Sequence, residues 1–200
     1  MKMPSILATL ILAAFCARGQ GTLQFDQSVS PTNAPGVFLN IQPDPTGQSF
    51  VPTLSSIGFV QLYLGDPTRV QGPTLYVDLW SGSLGGVLLG QSDPVSLSTT
   101  FVGAATFFFS SPVTLTPGTT YYFQPVIESG DSEQIGTDGG GSYPNGIAYF
   151  SGTAQPGTDL WFREGVVVPE PSSMSLTILA LGAFYPALRR HHYRESVSMT

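Results

Sequence analysis

Hydrophobic and polar residues alternate in short runs through the middle of the chain, and two apolar blocks bracket them. Between Gly36 and Glu164 the runs are rich in Val, Ile, Thr, Tyr and Phe and are separated by Gly, Pro and Asp turn signals. Such spacing reads as β-strands. The predicted strands are Gly36–Ile41, Gln48–Thr53, Ile57–Leu64, Thr74–Trp80, Val87–Gly90, Val95–Ser98, Ala104–Phe109, Thr119–Ile127, Gly146–Phe150 and Asp159–Arg163. In Thr74–Trp80 the period of two is clearest: Leu75, Val77 and Leu79 share one face, Tyr76, Asp78 and Trp80 the other. Thr116-Pro117-Gly118-Thr119 fits a type II turn, with Pro setting φ and Gly taking φ > 0. Phe107, Phe108 and Phe109 are consecutive, so at least one must face outward. Helical periodicity is confined to the two ends. The expected class is all-β: an antiparallel, jelly-roll-like β-sandwich, flanked by an N-terminal signal helix and a C-terminal transmembrane helix.

The apolar blocks at the ends read as address labels. Residues 1–20 have the layout of a signal peptide: Lys2, then the apolar stretch Ile6–Phe15, then Ala17 and Gly19 at cleavage-compatible positions. The alternatives are an uncleaved anchor and a lipid-modified Cys16, although Phe15 stands where a lipidation motif wants a small residue. The ectodomain then spans 21–165, a linker 166–173, a transmembrane helix 174–188 and a basic cytoplasmic tail 189–200. An apolar segment stopped by Arg189 and Arg190 orients with its basic end in the cytoplasm.

Charge sharpens this division. Only 10% of the 200 residues are charged, and five of the seven Lys and Arg lie in the two ends. From Gln20 to Val168, eleven Asp and Glu face only Arg69 and Arg163, a net of about −9. A nucleic-acid interface needs a basic face, which this body lacks. The same stretch has no Lys, His or Cys, since Cys16, His191 and His192 lie outside it. That removes Ser-His-Asp and Cys-His nucleophiles, Schiff-base lysines and His/Cys zinc sites. The expectation is that the protein is not an enzyme. The chemistry still available is a carboxylate pair for glycoside hydrolysis, with Asp78, Asp159 and Glu164 as candidates.

Two binding features remain. The stretch Glu128–Gly141 gathers Glu128, Asp131, Glu133 and Asp138 among glycines. Hard oxygen ligands of this kind suit calcium, but the spacing is not that of an EF-hand, and a solvated loop is the plainer reading. Tyr143, Tyr149 and Trp161 are candidates for a sugar-stacking face, against the alternative that they pack into the core. No other cofactor is indicated.

Val168-Pro169-Glu170-Pro171, the apolar run Met174–Leu188 and the Arg189-Arg190 cluster together resemble the PEP-CTERM sorting signal of Gram-negative bacteria. The resemblance covers about the last 33 residues. It implies processing by an exosortase, a membrane-embedded enzyme that would read Pro169, Glu170 and Pro171, and export linked to extracellular polysaccharide. The two prolines keep the box out of helix and strand ladders, hence extended. The stretches "LYVDLWSG", "FFFSSPVTLTPGTTYYF" and "GTDLWFR" are similar to jelly-roll ectodomains of exported bacterial proteins. The expected function is that of a structural or adhesive protein. It crosses the inner membrane, is held transiently by its C-terminal helix and reaches the cell surface or the medium. The second reading is a carbohydrate-binding module with extracellular polysaccharide as its partner.

Overall fold

The computed structural model describes residues 21–30, 37–41, 45–66, 68–141 and 143–169. The expected signal helix, the apolar run and the basic tail lie outside the described residues. Fourteen strands are formed: β1 (Thr22–Val29), β2 (Val37–Asn40), β3 (Gly47–Phe50), β4 (Ser56–Gly65), β5 (Thr74–Ser81), β6 (Val87–Gln91), β7 (Val95–Ser96), β8 (Val102–Thr114), β9 (Tyr121–Ser129), β10 (Gln134–Asp138), β11 (Ala148–Phe150), β12 (Thr153–Gln155), β13 (Asp159–Leu160) and β14 (Phe162–Val168). Among the described residues there is no helix, so none is long and apolar enough to cross a membrane.

The strands form two sheets of seven. The first runs β1-β14-β4-β10-β13, with β2 on β10 and β8 on β4. The second runs β12-β11-β3-β9-β5-β6, with β7 on β5. The strand pairings whose registers are resolved are antiparallel. The expected all-β sandwich class is thus present, and its body extends from Leu23 to Val167.

The pleat sorts side chains as the alternation predicts. Leu75, Val77 and Leu79 of β5 and Phe123 of β9 face inward and are fully buried. From the first sheet, Val60, Leu62 and Leu64 of β4, Phe107 of β8 and Phe162 of β14 meet them. Phe123 and Phe162 touch across the interior, with ring centroids 5.2 Å apart. Burying a Leu or Phe side chain contributes about 1.5–3 kcal/mol, so this layer dominates the stability. Phe107 and Phe109 point in, whereas Phe108 is 42% exposed. The β8–β9 link closes with Thr119 N–H donating to Thr116 O at 3.2 Å, and Gly118 takes φ = 77°. That is the expected type II turn.

The structure corrects the sequence reading in three places. The stretch Glu128–Gly141 is not simply a solvated loop. It contains β10, in which Ile135 is fully buried and Thr137 nearly so. A five-residue strand broken by Gly136 carries little apolar signal, and its pairing with β2 and β4 supplies the stability. β1 lies upstream of the first predicted strand, because its polar-rich run (TLQFDQSV) sits at a sheet edge and buries little. β14 continues to Val168, through residues assigned above to a linker.

Candidate functional site

Of the three proposed stacking residues, two are not available as an open face. Trp161 is 5% and Tyr143 7% exposed. Trp161 packs edge-on to Tyr63 at 5.6 Å and beneath the Arg163 guanidinium at 4.9 Å. Tyr143 lies edge-on to Phe162, and its hydroxyl accepts from Val51 N–H at 3.1 Å. Burial pushes that phenol up to about 12. The alternation of "LWFR" and the flanking glycines did not distinguish these inward rings from surface ones. Tyr149 alone of the three is half-exposed.

The acidic cluster is dispersed. Glu133 is fully buried and forms an ion pair with Arg69. Its carboxyl is raised by burial, opposed by the Gln134 N–H and by the Arg69 charge. One Asp131 oxygen accepts from Val70 N–H and Gln71 N–H, both at 2.7 Å, and these bonds hold its carboxyl below the usual range. Asp138 accepts from Gly140 N–H at 3.1 Å. Glu128 is exposed near the end of β9. Among the described residues no group of three acids, His or Cys is placed to hold a metal ion. Of the four calcium candidates Glu128, Asp131, Glu133 and Asp138, three are engaged with backbone amides or an arginine.

The three acids considered for carboxylate chemistry also occupy different settings. Asp159 is 1% exposed, held by Gln48 Nε2 at 2.9 Å and by Tyr143 N–H at 2.9 Å. Glu164 is 1% exposed and lies beside the Gln27 backbone and the Asp26 carboxyl. Burial first, and then the negative charge of Asp26, raise it to about 8. A substrate does not reach either group. Asp78 stands apart on the outward face of the second sheet, its carboxyl raised by burial and lowered in part by Gln91.

That outward face is the feature the sequence reading missed. Trp80 of β5 is the direct cross-strand partner of Tyr122 of β9. Tyr122 in turn contacts Tyr149 of β11, with ring centroids 5.8 Å apart and planes at 68°. One step along the strands, Asp78 pairs with Gln124 on β9 and with Gln91 on β6. Gln91 Nε2 donates to Asp78 Oδ1 at 3.1 Å. Tyr76 continues the face on β5, its phenol raised by burial and by Asp78 and Glu128. The Tyr122 phenol is raised by burial and by Tyr149. Gly47 is the cross-strand partner of Tyr149, and Leu84 from the β5–β6 turn packs over it: a Cβ at position 47 would lie 2.8 Å from its Cδ2. The signal for this site was present in the alternation of Tyr76, Asp78 and Trp80. Its partners were hidden because strand order is not written in the sequence.

A separate shallow recess of about 350 Å³ is lined by Leu39, Asn40, Phe150 and Gln155. It holds no titratable side chain. β14 ends at Val168, which is 42% exposed, and Pro169 after it is exposed. Glu170, Pro171, Arg189 and Arg190 lie outside the described residues.

No family model matches this chain, and no curated protein matches it. Among solved structures, one chain from the "Structure of infectious bursal disease virus Gx strain" is similar at 14% identity with a TM-score of 0.28. The match covers 89% of this chain and 55% of the viral one. So low a score carries no argument about function.

Proposed function

We propose that the chain is an exported, structural or adhesive protein of a Gram-negative envelope, sorted through a PEP-CTERM signal. A signal peptide at 1–20 directs export, the apolar segment 174–188 holds the protein in the inner membrane, and an exosortase processes it at the Pro-Glu-Pro box. The jelly-roll-like sandwich is then delivered to the cell surface or the extracellular polysaccharide. The observation that carries this reading is the junction at Val168. The last strand stops at the first residue of the Val-Pro-Glu-Pro box, and Pro169 is exposed. Pro169, the first proline of the box, therefore lies past the last strand residue, where it is open to a processing enzyme. The charge distribution agrees, since five of the seven cations lie in the segments assigned to membrane transit.

Mass spectrometry of the protein recovered from its host, with the cell fraction recorded, tests this. The expected mature form begins near Gln20, lacks Arg189–Thr200 and is found in the surface or extracellular fraction. Mature protein that retains the Arg189–Thr200 peptide beside an active exosortase overturns the reading.

A further inference from the structure

We propose that the outward face of the second sheet is a binding site for a neutral polysaccharide chain, centred on Trp80, Tyr122 and Tyr149. The face consists of two rows running across the strands. One row is aromatic, Trp80 beside Tyr122, and Tyr149, which stands opposite Gly47 one row over, reaches Tyr122 diagonally in ring contact. The next row is polar: Gln91, Asp78 and Gln124 in direct register. Adjacent strands lie about 4.8 Å apart and alternate same-face residues about 6.7 Å apart along a strand, so the rows are separated by roughly the breadth of one sugar ring. A pyranose has an apolar C–H face and a rim of hydroxyls. The ring row suits the first and the carboxamide and carboxylate row the second.

Three further observations narrow the ligand class. The rings are half-exposed where the rings of Trp161 and Tyr143 are buried, so a ligand can reach them. The indole N–H of Trp80, itself buried at the foot of the face, has no acceptor within the protein, and Asp78, 8% exposed, has only the single donor Gln91 among the bonds resolved to its side chain. Polar groups at low exposure with spare bonding capacity are what a site for hydroxyl-bearing ligands retains. Finally, among the described residues the face carries no cation. The folded body's two arginines are engaged elsewhere: Arg69 with Glu133, and Arg163 between Phe25 and Trp161 on the other sheet. With Asp78 the central charge, an acidic glycan would be repelled and a neutral one accepted. Leu84 lies over Gly47, the cross-strand partner of Tyr149, and adds an apolar contact beside that ring.

This inference deepens the adhesive reading, but the two fail separately. A chain that keeps its tail in the host can still bind glycan in a gel, and a correctly sorted chain can fail to bind. The test is affinity electrophoresis of the full chain in mild detergent, in native gels cast with laminarin, galactomannan or alginate. The expected result is retardation by at least one of the two neutral polymers and none by alginate. Trp80→Ala and Tyr122→Ala should weaken it about tenfold or more, which corresponds to about 1.4 kcal/mol. Gln91→Ala removes an exposed edge-strand side chain together with the donor to Asp78, so it should weaken retardation, and its melting temperature, measured alongside, separates lost sugar contacts from lost fold. Phe108→Ser, on the opposite sheet, should leave retardation unchanged. Retardation by neither neutral polymer, stronger retardation by alginate, or retardation that the Trp80 and Gln91 variants leave intact would overturn the proposal.

Discussion

Gln48 and Asp159, 111 positions apart, join the two sheets through the interior: Gln48 Nε2 donates to Asp159 Oδ1 at 2.9 Å. Gln48 belongs to β3 and Asp159 to β13, and both are nearly inaccessible. The bond is locked from both sides. Gln48 Oε1 accepts from Leu160 N–H at 2.9 Å, and Asp159 Oδ2 accepts from Tyr143 N–H at 2.9 Å. Asp159 is thus required as an acceptor at both oxygens. Asp159→Asn turns one of them into a donor facing another donor. An unsatisfied buried group costs about 1–3 kcal/mol. Urea unfolding of the variant should show a loss of that size with an unchanged m-value, and the same stability as the parent would refute the requirement.

Arg69 and Glu133 form a second tie, between loops. Arg69 Nε–H also donates to Asp66 O at 2.9 Å, and the guanidinium reaches Phe101 O. One cation therefore gathers the segments at 66, 101 and 133. Removing one member of a buried pair leaves an uncompensated charge and costs about 3–5 kcal/mol, whereas replacing both by apolar groups is often close to neutral. Glu133→Leu alone should destabilise strongly, since it strands the guanidinium. Glu133→Leu combined with Arg69→Met should recover much of the loss. Denaturant midpoints of the two single variants and the double variant check this, and additive losses would contradict it.

Much of the sandwich was legible in the alternation itself. Thr74–Trp80 and Ile57–Leu64 needed only their period of two to be placed correctly, and Pro117-Gly118 named its own turn. What was not legible depends on neighbours. β10 is held by pairing with β2 and β4 more than by its own residues. Glu133 reads as a loop acid until Arg69 is brought to it from 64 positions away. Whether Trp161 and Tyr143 stack on a ligand or pack into the core is not decided by their own sequence until the position of Phe162 between the sheets is known. The cluster of Trp80, Tyr122 and Tyr149 draws on three strands distant in the chain, so no local window contains it.

Glu164 predicts a pH dependence. Its folded carboxyl titrates near 8, raised first by burial and then by the charge of Asp26, against 4.5 as the ordinary value. Between those limits the folded state holds a proton that the unfolded chain has released. Stability therefore falls as pH rises from about 4.5 to about 8, by up to about 1.4 kcal/mol per pH unit, and levels off above. Below 4.5 the contribution is fully present. Glu164→Gln keeps the shape and removes the ionisation, so it should flatten the profile and raise the melting temperature most at alkaline pH. Parallel profiles for the two proteins between pH 5 and 9 would show that Glu164 is not the group responsible.

Arg163 links the first strand to the last. Its guanidinium lies 5.3 Å from the centroid of Phe25 on β1 and 4.9 Å from that of Trp161, so the cation is held between two rings. Phe25 is itself edge-on to the fully buried Phe59 at 5.7 Å. β1 is an edge strand, paired only with β14, and its sequence buries little apolar surface. Its attachment therefore relies on this stack and on the bonds from Thr53 and Leu54 to Asp26. Each cation–π contact is worth about 0.5–1 kcal/mol at such exposure, and a lysine lacks the planar group that stacks on both rings. Arg163→Lys and Arg163→Ala should both speed amide exchange in Thr22–Val29 several-fold while leaving the central strands β4 and β9 protected. Uniform acceleration across both sheets would instead mean that Arg163 supports the whole sandwich, and no change would mean that the stack does not hold β1.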